Sequence, residues 1–328
     1  MSSPPHIRQS VTTRALMADV LIALVPAMIW GVYVFGFRAL SVVTVSVTAA
    51  VLSEFLFETA VKRPVTVNDL SAVVTGVLLA FCCPVSVPLW IPALGSAFAV
   101  ILVKQLFGGI GKNIVNPALA GRVFLFTSWP VIMKVFTAPF EKLPAFSMTV
   151  SGTDAVTSAT TLSYMKAGGV PSGEFNLMDL MIGNKAGCIG EISGLLLIAG
   201  GIYLIYRRVI SWHIPVSFLG TVLVVTLFFQ KGLDVLSLDY SFYHLFSGGL
   251  VLGAVFMATD YATSPVTKNG KIIFGVGCGL LTVFIRYFGG YPEGVSFAIL
   301  IMNLFVWYID KYTKPKAYGA PGRAAGNG

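Results

Sequence analysis

The chain has 328 residues, 56% of them hydrophobic and only 11% charged, with a mean hydropathy of +0.83. A soluble domain carries about a quarter charged residues, so this chain has too little polar surface to face water on every side. The net charge of +8 does not point to nucleic acid, because the lysines and arginines stand singly or in pairs between apolar blocks, as topogenic charges beside membrane spans do.

Residues 1–19 are polar, and the apolar block that follows reads as a retained span, not a cleaved signal. Ten candidate spans run in order: Val20–Phe37, Leu40–Val61, Leu70–Cys83, Leu89–Phe107, Ile114–Ser128, Ile189–Tyr206, Ile214–Phe229, Leu245–Ala258, Ile272–Phe288 and Val295–Ile309. The expected fold is an all-α polytopic membrane protein. Crossing a core of ~30 Å takes roughly 20 apolar residues in a helix. The third, fifth and eighth blocks are too short for a straight crossing. They read as discontinuous helices lining a buried site. One polar stretch, residues 130–188, interrupts the series and is large enough for a compact lobe.

Two stretches repeat. Leu106-Phe107-Gly108-Gly109 matches Tyr287-Phe288-Gly289-Gly290, and Gly76–Pro88 can be laid on Gly253–Pro265. Five spans separate the copies, and an odd number inverts the second copy in the membrane. The expectation is two inverted five-helix repeats, at residues 20–129 and 189–310. With the N terminus in the cytoplasm, fourteen lysines and arginines fall on the cytoplasmic side and seven on the other, with Arg122 inside a span. That bias puts both termini, residues 1–19 and 311–328, in the cytoplasm and the lobe outside.

Several residues stand out chemically. The lobe contains Asp154-Ala155-Val156-Thr157-Ser158-Ala159-Thr160-Thr161, a run of hydroxyls that reads as a surface turn or as a phosphoester acceptor. Glu54 and Glu58 share one face of the second span. Glu54 and Asp260 are candidates for an ion pathway, because carboxylates in a membrane are expensive and usually functional. Glu58 has an ion pair with Lys62 and Arg63 as its alternative, and Asp19 reads as a cap of the first span. The cysteines Cys82, Cys83, Cys188 and Cys278 form no C-x-x-C, and the three histidines are dispersed, so no metal site is expected.

The turn resembles the D-x-x-[ST]-[GSA]-A-T flavinylation motif, whose last threonine carries FMN through a phosphoester made by a flavin transferase. The resemblance implies FMN on Thr160, with Asp154, Thr157, Ser158 and Ala159 as the motif around it. Asn113-Ile114-Val115-Asn116-Pro117-Ala118-Leu119-Ala120-Gly121-Arg122 is similar to the N-x-x-N-P-A-L-x-x-R segment of one membrane flavoprotein family. That family is shared by the sodium-pumping NADH:quinone reductase (its B component) and the Rnf ferredoxin:NAD reductase (its D component). The opening Ser3-Pro4-Pro5-His6-Ile7-Arg8 and the absence of a longer N-terminal extension are nearer to the Rnf member. The likeness extends to about Asp310. It implies a subunit in a bacterial inner membrane, with one covalent FMN outside and a non-covalent riboflavin within the membrane. Its implied partners are Rnf subunits A, B, C, E and G, with electrons arriving from G and leaving toward C. Na+ or H+ would be moved with that flow. Asn113 and Asn116 can donate to and accept from a flavin edge. Arg122 can stabilise an anionic flavin or pair with a carboxylate of a neighbouring helix. The rival reading is an inverted-repeat solute transporter or channel with no redox role, which has no use for the Thr160 motif.

Overall fold

Helices begin where a side chain takes up one of the free N–H groups of the first turn. In the computed structural model, which describes residues 12–146, 160–169, 171, 175–230 and 237–314, thirteen α-helices and no strands occur among those residues. Thr12 caps α1 (Thr13–Phe35), and Gly36, at φ +75°, turns the chain directly into α2 (Phe37–Ala60). A short α3 (Ser71–Phe81) is followed by α4 (Trp90–Phe98), which continues as a π-helical stretch, Ala99–Gln105. Asn116 caps α5 (Pro117–Ser128), with Pro117 in the first turn, where its missing N–H is harmless.

Between α5 and the next long helix lie α6 (Thr161–Lys166) and α7 (Leu177–Ile182). The second half holds α8 (Gly194–Tyr206), α9 (His213–Phe228) and α10 (Leu238–Phe246). A sharp break leads to α11 (Leu250–Leu252), which runs on as π-helix Gly253–Met257. α12 (Lys268–Phe288) and α13 (Val295–Thr313) close the chain.

Every predicted span coincides with one of these helices or helix pairs. The count of ten crossings does not follow from that. By length and composition α1, α2, α12 and α13 can cross a bilayer, and the broken pair Leu238–Phe246 and Leu250–Met257, bent by 69°, makes a fifth. Short helices are commoner than the sequence suggests, since α8 and α9 join α3 and α5 below full crossing length. The long helices bury only part of their surface. Ile29, Leu56, Phe284 and Trp307 are each at least 60% exposed, which suits a lipid surrounding.

The halves pack alike. α2 lies against α3 and α4, and α9 lies against α10 and α12. α1 meets α8, and α5 meets α13, across the two halves. Asp19 does not cap a helix. α1 begins six residues earlier, at Thr13, and Asp19 lies within it, where it accepts from Tyr203 Oη (3.0 Å) and pairs with Arg207 (3.3 Å), tying α1 to α8. Several lysines and arginines of the charge tally also have structural partners. Arg38 is fully buried and donates to the carbonyls of Val85 (3.4 Å), Val87 (2.7 Å) and Ala145 (3.2 Å).

Close backbone approach between α2 and α3 rests on glycine. A Cβ on Gly76 would lie 2.7 Å from Val47 Cα and 3.1 Å from the Ser46 carbonyl. Gly76→Ala is therefore expected to lower the thermal midpoint in detergent, at a cost of about 1–3 kcal/mol. Gly220→Ala, in open space on α9, should leave it unchanged or raise it. Equal midpoints for the two variants would contradict this packing.

Candidate functional site

Two cavities flank α5, one at its start and one toward its end. The first, about 740 Å³ with its open mouth included, is bordered by Ser71, Lys104, Asn113, Asn116, Pro117, Thr259 and Asp260 among others. The second, about 510 Å³ on the same measure, is bordered by Cys82, Arg122, Phe126, Phe136, Thr160, Cys188, Glu191 and Glu293 among others. Asn116 and Arg122 are six residues apart on one helix, so about 9 Å of rise separates the two ends of the site.

At the first cavity the two asparagines divide the work. Asn116 is committed to the fold. Its Oδ1 accepts from Leu119 N (3.2 Å), its Nδ2 donates to the Met257 carbonyl (3.1 Å), and its backbone N–H donates to Asn303 Oδ1 (3.2 Å). Asn303 Nδ2 in turn donates to the Thr263 carbonyl (2.8 Å). Asn113 is different: its Oδ1 is buried with no hydrogen-bond partner among the described residues. Buried polar atoms are seldom left unpaired, so an orphan on a cavity wall is free to accept from a water or a ligand there. Asp260 accepts from Thr263 Oγ1 (3.1 Å) and borders the same cavity.

Lys104 enters this wall from the π-helical stretch. Its ammonium donates to Glu54 (2.5 Å) and to Ser71 Oγ (2.6 Å). Gln105 Nε2 also donates to Glu54 (2.6 Å) and to Glu58 (3.1 Å). Glu54 is therefore the partner of a buried lysine, with its second oxygen unpaired among the described residues. Glu58 does not serve Lys62 or Arg63. It accepts from the backbone N–H and hydroxyl of Thr66 (2.8 and 2.5 Å), anchoring the turn after α2.

The second cavity is built around a charge. Arg122, 8% exposed, pairs with Glu191 (3.4 Å) and with Glu293. Glu293 also accepts the backbone N–H of Gly249 (2.5 Å), at the break between α10 and α11. A Cβ there would come within 2.8 Å of Glu293 and 3.0 Å of Glu191, so a side chain would have to displace both carboxylates. Of the two readings of Arg122, the carboxylate pairing is the one the geometry holds, and Arg122 borders the cavity as well.

Thr160 caps α6. Its Oγ1 accepts from Ser163 N (3.3 Å) and donates to Ser163 Oγ (3.0 Å), and the residue borders the second cavity. Asp154, Thr157, Ser158 and Ala159 lie outside the described residues. Glu191, Glu293, Asn303 and Lys104 did not stand out in the sequence as site residues. Glu191 had a readable signal, since it is a carboxylate two residues inside a predicted apolar span. Asn303 had a weaker one, as an amide inside the predicted span Val295–Ile309, and Glu293 had none, its partner Arg122 being 171 residues away.

The sequence profile of the NQR2, RnfD, RnfE family matches residues 1–319. The chain is 48% identical over 321 residues to the D component of the Na+-translocating ferredoxin:NAD+ oxidoreductase complex of Acetobacterium woodii, covering 97% of this chain and 95% of that one. It is 42% identical over 326 residues to the D component of the proton-translocating ferredoxin:NAD+ oxidoreductase complex of Clostridium ljungdahlii, covering 97% and 96%. It is 37% identical over 337 residues to the D component of the ion-translocating oxidoreductase complex of Halorhodospira halophila, covering 96% and 94%.

Removing Arg122 leaves two carboxylates buried without their cation, a loss of about 3–5 kcal/mol. Arg122→Gln should therefore lower the thermal midpoint in detergent sharply, and adding Glu293→Gln should restore part of it. A midpoint like that of the wild type in the single variant would contradict the pairing.

Proposed function

The chain belongs to the NQR2, RnfD, RnfE family, and on that premise we propose that it is the membrane-embedded D component of an ion-translocating ferredoxin:NAD+ oxidoreductase, carrying electrons through a bacterial inner membrane. The observation that carries this reading is the position of Thr160. The threonine of the flavinylation-like stretch borders a cavity with Arg122 and the rings of Phe126 and Phe136. A transporter without a redox role has no use for that arrangement.

The residues fit the two groups. FMN would be attached to Thr160 Oγ1, whose hydroxyl has only Ser163 as a side-chain partner among the described residues. Phe126 and Phe136 offer apolar ring surface, and Arg122, held by Glu191 and Glu293, borders the same cavity. Riboflavin would lie in the first cavity, where Asn113 has an unpaired oxygen to accept an N–H. Asn116 holds the wall and not the ligand. When bound, the flavins supply one-electron and two-electron redox chemistry that the side chains here lack. The residues bind, orient and set the charge around them. The short span of α5 between the two cavities keeps the electron path short.

The positive-inside bias supports both termini in the cytoplasm, with Thr160 outside and Asn113 toward the cytoplasm. Rnf subunits A, B, C, E and G are the expected partners, and a flavin transferase is needed for maturation. Asp260, on the first cavity, is better placed than Glu54 for the Na+ or H+ pathway, since Glu54 is held by Lys104. Related proteins carry names with either ion.

In-gel fluorescence of the denatured chain tests the covalent group. A fluorescent band is expected with flavin transferase, none without it, and none for Thr160→Ala. A dark wild-type band made with active transferase would promote the transporter reading. For the second group, acid-extractable flavin from the purified chain should fall about tenfold in affinity in Asn113→Leu, one hydrogen bond's worth. Unchanged retention would remove Asn113 from the riboflavin site.

A further inference from the structure

Among the described residues around the break between α10 and α11, buried positive charge exceeds buried negative charge. Arg122 and Lys185 are 8% exposed and Arg286 is 3% exposed. Facing them among the described residues are two carboxylates, Glu191 and Glu293, and both pair with Arg122. Lys185 donates to the Phe246 carbonyl. Arg286 donates to the carbonyls of His244 (2.6 Å) and Ser247 (3.1 Å) and has no ion pair among the described residues.

Hydrogen bonding shows the same shortfall. Arg286 Nε and both ring nitrogens of His244 are buried without a partner among the described residues, and His244 is 3% exposed. Both side chains border a third cavity, about 300 Å³ on the measure used above and the smallest of the three. It lies beneath α6, with Lys166 and Tyr240 on its wall. Lys166 donates to the carbonyls of Gly289 and Tyr291 (2.6 Å for the latter), which fixes its ammonium at the rim. Tyr240 packs edge-on against the His244 ring at 4.9 Å and sets its orientation. No acidic residue borders the cavity among the described residues.

We propose that this cavity binds a small monoanion that only accepts hydrogen bonds. Arg286 Nε–H and one N–H of His244 donate to it, beside the Lys166 ammonium at the rim. A water molecule would satisfy the hydrogen bonds and leave the excess charge uncompensated; an anion answers both. Two sources share this chemistry: a halide from solvent, and the phosphodiester on Thr160, the residue that starts α6. The second source rests on the flavin reading above, and the first does not.

The test uses the full chain purified in detergent, made with and without flavin transferase. Thermal midpoints are followed while gluconate is replaced by chloride or bromide at constant ionic strength. The chain without flavin is expected to gain roughly 2–4 °C, saturably. Lys166→Gln and His244→Phe should lose that gain. A gain that persists after flavinylation assigns the site to a solvent anion, and one that vanishes assigns it to the phosphodiester. In-gel fluorescence shows separately whether flavin was attached at all. No saturable halide gain without flavin, or an equal gain in both variants, overturns the proposal. If the variants do not fold, anomalous scattering from wild-type crystals in bromide decides. A peak beside Arg286 Nε supports the site, and its absence overturns it.

Discussion

A helix too short to cross a bilayer ends with carbonyls and N–H groups that lipid cannot satisfy. This chain has several such ends, and the important ones are met by groups from elsewhere in the sequence. The end of α3 receives the backbone N–H of Gly190 at the Phe81 carbonyl (2.9 Å) and that of Ile189 at the Cys83 carbonyl (3.1 Å). The π-helical end at Met257 receives Asn116, and the start of α11 at Gly249 receives Glu293. The cavities occur where these ends are, because irregular backbone inside such a protein survives only where protein or a cavity lines it. Fold and site thus have one cause.

The two cavities differ in chemistry as the partners at those ends differ. At the start of α5 the broken end is met by neutral amides, and the mainly apolar cavity there has Lys104 on its wall, neutralised by Glu54. Toward the end of α5 the partners are charged, with Arg122 between two carboxylates. A buried charge with its partners removed is far more costly than an unpaired amide. The cavity around Arg122 suits a group bonded to the chain, while the cavity beside Asn113 suits one held only by hydrogen bonds.

Much of this was legible in the sequence, for physical reasons. Long apolar blocks are unambiguous, so every span mapped to a helix. The Asn-Pro pair at 116–117 announced a capped helix start, and α5 begins there. The shortness of the eighth block announced the broken pair Leu238–Phe246 and Leu250–Met257, while the third and fifth blocks form helices that are short and continuous. What could not be read was pairing at a distance. Glu54 looked like an isolated carboxylate until Lys104 was placed against it, 50 residues on. Lys104, Arg38 and Arg286 counted as topogenic charges, yet each is buried against specific acceptors. Asp19 looked like a cap because the first apolar block starts beside it, whereas the helix starts earlier, at Thr13.

The account stands on the two cavities opening to opposite sides of the membrane. The four native cysteines are all buried, so single cysteines introduced at Thr160 and Asn113 can be labelled against a low background. A membrane-impermeant maleimide applied to intact cells and to inverted vesicles reads the side directly. The account predicts that position 160 reacts in intact cells and position 113 only in inverted vesicles. Reaction of both positions from the same side would contradict it.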